Sequence, residues 1–374
     1  MAFLTGWAKR IKITADKDVV DSDLSHFPLT VRLGTAVGIG DVDTSCVFDE
    51  LTSDANRKKI AVTKSDGETQ LKVEIEKWDD ANEKAVLHCG ITGDTLSSSA
   101  DTDYYLYYDS SHAANTDYVG DTNSEVAESV WDSNFKMVQH MADATTSTTY
   151  DSTSNDNDGT KLSANNPLEA TGKIGEGQDF SSDYINSNSS AISSSLDITA
   201  EVTLEAWVYS DADGAWQTIV SRRGGIAAAQ YGMSKEAGNK IGFAGGATGG
   251  CWWWPGASNT TIPTNGWTYV TVTWKNSDTS YAYYFNGEGD GNGTYANHGI
   301  TSQGHNVGIG KNVDDSYYPE TFNGDIDEVR ISNIVRTADW IKASYNSGND
   351  SLLTYGSEEA APSVDTGNFF NLFN

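Results

Sequence analysis

The stretch Thr321–Tyr345, TFNGDIDEVRISNIVRTADWIKASY, decides the fold. Asn323-Gly324 is a turn signal. The run Ile326 to Ile331 interleaves β-branched and acidic residues, which predicts a strand with Val329 and Ile331 on one face and Ile326 on the other. Thr337 suits a helix N-cap. Ala338, Ile341 and Tyr345 then share one face of a short helix that Asn346 and Gly348 end. Neither piece can fold alone: the strand needs neighbours and the helix face needs a sheet. The residues before Thr321 must therefore build a β structure that this segment closes.

A chain of 374 residues has room for two or three domains. Aliphatic residues are sparse, but 11 Trp and 18 Tyr can fill β-sandwich cores, and 36 Gly against 6 Pro means that turns are made with Gly, Asn, Asp and Ser. This is an all-β composition. The formal net charge of −29 argues against nucleic acid and anionic membrane surfaces as partners, since phosphate binding needs clustered Lys and Arg. It fits a solvated acidic surface, on which some carboxylates are expected to hold Ca²⁺. Cys46, Cys89 and Cys251 lie far apart without a C-x-x-C, so neither a zinc site nor a disulfide framework is expected, and Cys89 in AVLHCG reads as a buried strand residue. The opening MAFLTGWAKRIKI has no signal peptide pattern, and no apolar run is long enough to insert in a membrane.

In chain order, residues 1–122 read as one β-sandwich. Phe27, Leu29, Val31 and Leu33 alternate on one face; Leu71, Val73 and Ile75 face inward while Lys72, Glu74 and Glu76 face solvent; Ala85–His88 and Tyr104–Tyr108 complete the set. Residues 123–130 are polar with one possible helical turn and read as a linker. Residues 131–356 form the second domain, with strands at Phe135–Met141, Thr203–Tyr209, Thr218–Val220, Trp267–Trp274 and Ser280–Phe285, the last followed by the Asn286-Gly287 hairpin signal. Residues 357–374 read as a tail. Its apolar end, with Phe369, Phe370, Leu372 and Phe373, is expected to dock on its own chain or a neighbour.

Ordered motifs carry two resemblances. Trp7, Phe27-Pro28, Glu74-Ile75-Glu76-Lys77-Trp78 and Tyr105-Leu106-Tyr107-Tyr108 resemble an uncharacterised domain family that often precedes laminin-G-like domains. The second domain resembles the laminin-G-like, concanavalin A-like jelly rolls. The resemblance rests on His140-Met141, the loop Asp151–Gly159, Gly172–Phe180, Thr203–Tyr209, Trp267–Trp274, the Asn286-Gly287 hairpin and the closing Asp327-Glu328-Val329-Arg330-Ile331. It implies two tandem antiparallel β-sandwiches, the second a jelly roll. It also implies a structural calcium site shared by the loop and the closing strand, with Asp151, Asn155, Asn157 and Asp327 as candidates. The competing reading of that loop is an Asx-rich turn that caps its own amides.

Cys251-Trp252-Trp253-Trp254-Pro255-Gly256 cannot send all three indoles into one core, because strand side chains alternate. At least one is expected at the surface, as a sugar platform or an interface anchor, with Asn259 among the residues that add polar contacts. Catalysis finds little support: there is no G-x-S-x-G or H-E-x-x-H, Asp325-Ile326-Asp327-Glu328 lacks glycanase spacing, Glu74 and Glu76 fit a solvated face, and His140 fits strand packing. The expectation is a non-catalytic surface recognition or adhesion protein that binds a cell-surface glycan or another surface protein. It is expected to be homo-oligomeric and to sit on a virion or extracellular surface, since release of virus particles needs no leader. A purely structural virion decoration protein and a polysaccharide-degrading enzyme are the alternatives.

Overall fold

A computed structural model describes residues 3–362 except 145–146, 164–165, 188, 192–193, 215, 225–228, 248–250 and 316–319, and the side chains of residues 247, 251 and 252. The apolar tail residues Phe369, Phe370, Leu372 and Phe373 lie outside the described residues, as does the side chain of Trp252.

The fold is all-β, and the first sandwich has two four-stranded sheets. One runs in the order Leu353–Ala360, Lys9–Ala15, Thr102–Tyr108, Ile60–Lys64; the other Leu29–Leu33, Lys84–Gly90, Lys72–Asp79, Val119–Asp121. Alternating apolar residues of both, among them Ile11, Ile13, Val31, Val73, Ile75, Leu87 and Leu106, close the core between them.

The expected boundary at residue 356 is corrected here. Leu353–Ala360 is a strand of the first sandwich, antiparallel to Lys9–Ala15, with Lys9 opposite Ala360 and Ile13 opposite Tyr355. Leu353 and Tyr355 reach the first core, and the Tyr355 hydroxyl accepts the Arg32 amide at 3.1 Å. The second domain is thus inserted before the last strand of the first. An inward pair in SLLTYGSEEA is too short a pattern to read locally; its partners, Ala15 and Ile13, lie near the other end of the chain. The expected linker is packed rather than free. Ser124 caps the short helix Glu125–Glu128, and Val130 and Trp131 join the first core.

The second sandwich packs an eight-stranded against a nine-stranded sheet. At the centre of the eight-stranded sheet lies Asn323–Ser332, paired with Glu201–Ser210, Glu176–Ser181 and Phe135–Gln139. Its pairing with Glu201–Ser210 slips by one residue: Glu205 faces Arg330 but Trp207 faces Asp327. This is a β-bulge. Glu328 sits in it with φ +52°, a left-handed conformation uncommon for a side-chain-bearing residue. The extra residue resets the alternation. Ile326, Val329 and Ile331 therefore all enter the same core, whereas simple alternation placed Ile326 on the opposite face. The closing helix, Ala338–Gly348, is capped by Thr337, whose hydroxyl oxygen accepts the Trp340 amide at 3.2 Å. The Asn286-Gly287 turn joins Phe285 to Glu288 with both turn residues at positive φ, as a tight hairpin requires.

The two sandwiches meet along a seam. Outward residues of the first domain's second sheet face outward residues of the eight-stranded sheet. Val86, Ile174, Trp207, Tyr269 and Ile341 form an apolar part of the seam. Beside it lies a polar part: Glu74, Glu76 and His88 from the first domain meet His140, Asp327, Glu328 and Arg330 from the second, all with buried side chains. Glu74 and Glu76 do point out of their own sandwich, but into this seam; the solvated face expected for them does not exist. Glu76 occupies a bulge of its own, between the pairs Ile75–Leu87 and Lys77–Val86.

If the last strand completes the first core, Tyr355→Ala lowers stability by about 3–5 kcal/mol in chemical denaturation followed by tryptophan fluorescence. A loss within about 0.5 kcal/mol, typical of surface changes, would show the strand to be dispensable.

Candidate functional site

The solvent side of the nine-stranded sheet carries an unusual set of side chains. Its floor is made of small residues, Gly232, Ser234 and Ala244, around a cavity of about 10 Å³, room for about one water. Polar groups line one side. The Ser221 hydroxyl donates to Asn312 Oδ1 at 2.5 Å, Asn312 Nδ2 donates to Glu320 Oε2 at 2.9 Å, and Arg223 pairs with Glu320 at 3.2 Å and Asp315 at 3.5 Å. Ser221, Arg223, Asn312 and Asp315 are all buried, and among the described residues Thr218 Oγ1 is buried with no hydrogen-bond partner. These charged and amide groups are largely buried and paired with one another, and they fix the outer face of the sheet.

At one end of this strip stand two indoles. Trp253 and Trp254 part company as alternation requires. Trp253 turns inward, 4% exposed, with its ring 4.3 Å from that of Trp274. Trp254 turns outward and is 37% exposed, with Trp216 edge-on at 6.1 Å. The Trp254 indole N–H donates to Glu236 Oε1. Burial pushes the Glu236 carboxyl up to about 8, against the hydrogen bond from Trp254 that lowers it, and the nearby Glu320 charge adds to the rise. Asn259 is exposed beside Gly291 of the neighbouring hairpin. Of the expected platform residues, then, Trp254 is presented to solvent, Trp253 belongs to the core, and Trp216 and Glu236 are partners of Trp254 that the sequence does not mark. No local motif marks those two; the sheet brings them to Trp254 from separate places in the chain.

The four expected calcium ligands have separate tasks. The Asp151 carboxylate accepts the amides of Val138 at 2.9 Å, Thr153 at 3.0 Å and Asn157 at 2.9 Å, and the Thr153 hydroxyl at 2.9 Å. Burial pushes its carboxyl up to about 7 while these donors pull it down. Its acceptor sites are taken by its own loop, which is the Asx-turn reading. Asn155 Nδ2 donates to the Phe135 carbonyl and Asn157 Nδ2 to the Lys136 carbonyl. Asp327 accepts the Ile174 amide at 2.8 Å, in the seam. Among the described residues, no hydrogen bond or ion pair joins Asp327 to the loop. The reason is the bulge, which turns Asp327 toward the first domain.

Comparison with known proteins bears on the second domain. Residues 179–342 match the family Laminin_G_3, described as the concanavalin A-like lectin/glucanases superfamily. No curated protein matches the chain. Among solved structures, domain 4 of AbnA, a GH43 extracellular arabinanase from Geobacillus stearothermophilus, in complex with arabinotriose, is similar at 17% identity and TM-score 0.43, over 56% of this chain and 97% of that one. The binding domain of botulinum neurotoxin DC in complex with SialylT is similar at 11% identity and TM-score 0.42, over 58% of this chain and 52% of that one. The ligand binding domain of botulinum neurotoxin serotype D in complex with N-acetylneuraminic acid is similar at 13% identity and TM-score 0.42, over 57% and 50%. This chain thus spans about half the length of the toxin domains, and likenesses at these scores identify no ligand for it. The family match and the pairing of an eight-stranded with a nine-stranded sheet agree: residues 179–342 are a laminin-G-like domain of the concanavalin A-like lectin/glucanases superfamily.

Proposed function

We propose that this chain is a non-catalytic recognition protein whose second domain holds a glycan on the solvent side of the nine-stranded sheet. The observation that carries the reading is Trp254, an exposed indole tied by its N–H to the buried Glu236 at the end of a strip of polar side chains. A fixed aromatic face suits the apolar side of a sugar ring. The superfamily description, which spans lectins and glucanases, agrees with a saccharide ligand. The formal charge of −29 favours a neutral saccharide over a polyanionic one. A homo-oligomer on a virion or extracellular surface completes this proposal. A structural calcium ion likewise stays a proposal, with Asp151 now disfavoured as a ligand.

A glycanase is the second reading, and one observation favours it: a carboxyl held protonated near neutral pH, as Glu236 is, suits a general acid. Against it, Glu320 is engaged by Arg223 and Asn312. Release of reducing ends from a bound polysaccharide, lost in Glu236→Gln, would establish the enzyme and end the non-catalytic reading.

A glycan array probed with the full chain tests the main proposal. Trp254→Ala should weaken any hit at least tenfold with the melting temperature nearly unchanged. Trp253→Ala should instead cost about 3–5 kcal/mol of stability, as for a buried core indole. A blank array would favour the structural decoration protein.

The Glu236 carboxyl also predicts a pH dependence. A carboxyl raised in the fold binds more protons folded than unfolded, so its stabilising contribution is full below its ordinary 4.5 and is lost as pH rises to about 8. Glu236→Gln should therefore melt several degrees above the parent at pH 9 and show no such gain at pH 4, read by differential scanning fluorimetry. An equal effect at both pH values would mean that the fold does not raise this carboxyl's pKa.

A further inference from the structure

The polar seam between the two sandwiches is costly as it stands. Charged groups removed from water lose several kcal/mol of hydration each unless their partners are well placed. Four carboxylates, Glu74, Glu76, Asp327 and Glu328, share the seam with one guanidinium, Arg330, and two imidazoles, His88 and His140. Among the described residues, Glu76 Oε1 is buried without a hydrogen-bond partner. The side chains of Glu76 and His88 are 0% exposed, those of His140 and Glu328 2% and 1%.

Four ligand atoms converge there, two from each domain. Glu76, His88, His140 and Glu328 each offer one ligand atom, and these atoms all lie within 4.8 Å of one another. His88 Nε2 is 2.7 Å from Glu76 Oε2 and 4.0 Å from Glu328 Oε1; His140 Nδ1 is 3.7 Å from Glu76 Oε2 and in direct contact with Glu328 Oε1. Ligands of a tetrahedral ion at ~2.0–2.1 Å stand about 3.3 Å apart, so shifts below about 1 Å would admit one.

The surroundings are those of a metal centre. Metal-binding imidazoles are usually fixed through their other nitrogen. His88 Nδ1 lies 3.4 Å from Thr30 Oγ1, and His140 Nε2 lies 3.4 Å from Glu74 Oε1, at ion-pair range. Glu74 is itself held by the Trp131 indole N–H at 2.7 Å and the Ser152 hydroxyl at 2.6 Å. Arg330 donates to Glu328 Oε2 through Nε at 3.0 Å and Nη2 at 2.6 Å, leaving Oε1 to face the cluster. A cavity of about 260 Å³ reaches Glu76 and His140; its lining includes Asp54, Asp143 and the ion pair of Asp121 with Arg57.

We propose that Glu76, His88, His140 and Glu328 bind one divalent first-row transition-metal ion that joins the two domains. Two imidazoles beside two carboxylates select such an ion, zinc foremost, over calcium or magnesium, which take oxygen ligands. Both carboxylate ligands sit at β-bulges, the device that re-aims a side chain out of a regular strand. Because the ligands come from both domains, the ion binds only when the two are docked, and its binding energy adds to the stability of the docked form.

The test is a Co²⁺ titration of the full, tag-free chain after exhaustive chelation. Expected are one Co²⁺ per chain with the visible absorption of a four-coordinate site, displacement by equimolar Zn²⁺, and a melting temperature several degrees above that of the metal-free chain. Glu76→Gln and His140→Gln should each weaken Co²⁺ binding at least tenfold. Should these variants not fold, Cu²⁺ bound to the unaltered chain decides by its nitrogen hyperfine coupling, with two imidazoles expected. Absence of stoichiometric binding, no thermal shift with Co²⁺, Zn²⁺, Mn²⁺ or Ni²⁺, undiminished binding in both variants, or Cu²⁺ without imidazole coupling would each overturn the proposal. The seam would then be a proton-sharing charge network.

Discussion

The β-bulge at Glu328 is the constraint from which most of the molecule follows. Without the extra residue, Ile326 would stand on the face opposite Val329 and Ile331, and the central strand would offer the jelly-roll core an interrupted apolar row. With it, all three isoleucine and valine side chains enter the core, while Asp327, Glu328 and Arg330 turn together toward the first domain. The cost is a residue held at φ +52°. Neighbouring strands on both sides and the Arg330–Glu328 ion pair hold that backbone in place.

A second constraint is the return of the chain. Leu353–Ala360 closes the first sandwich only after the second has been built, so the two domains share one folding problem. The first sheet would otherwise leave Lys9–Ala15 as an open edge, prone to pairing with other chains. Trp131, Phe135 and Trp340 pack in the first core, although Trp340 lies within the residues that match the laminin-G-like family. The arrangement is a stack of four sheets with an apolar and a polar patch at its middle.

The two polar settings of the protein differ in kind. The strip on the nine-stranded sheet opens toward solvent through Trp254, and its charges are largely matched within it: Arg223 with Glu320 and Asp315. The seam is enclosed, and its carboxylates outnumber its cations. The first suits a ligand that comes and goes by surface contact; the second suits an ion that stays. Neither setting depends on the other, since they lie on opposite faces of the second sandwich.

Strand periodicity, the Asn286-Gly287 turn, the Thr337 cap and the ordered motifs of the second domain were legible because each is a local relation, set by the period-two pleat or by turn and cap chemistry over a few residues. The division of Trp253 from Trp254 follows from the same rule. What lay out of reach was every relation between distant strands. The pairing of Lys9 with Ala360, the burial of Glu74 and Glu76, the company of His88 with His140, and the approach of Trp216 and Glu236 to Trp254 depend on which outer faces meet. A charged side chain pointing out of its own sheet reads alike whether it meets water or another domain. Composition and alternation therefore determined that this chain is a pair of β-sandwiches, while only the tertiary structure decided that they are interleaved and docked, because docking depends on the matching of whole surfaces and no local pattern encodes it.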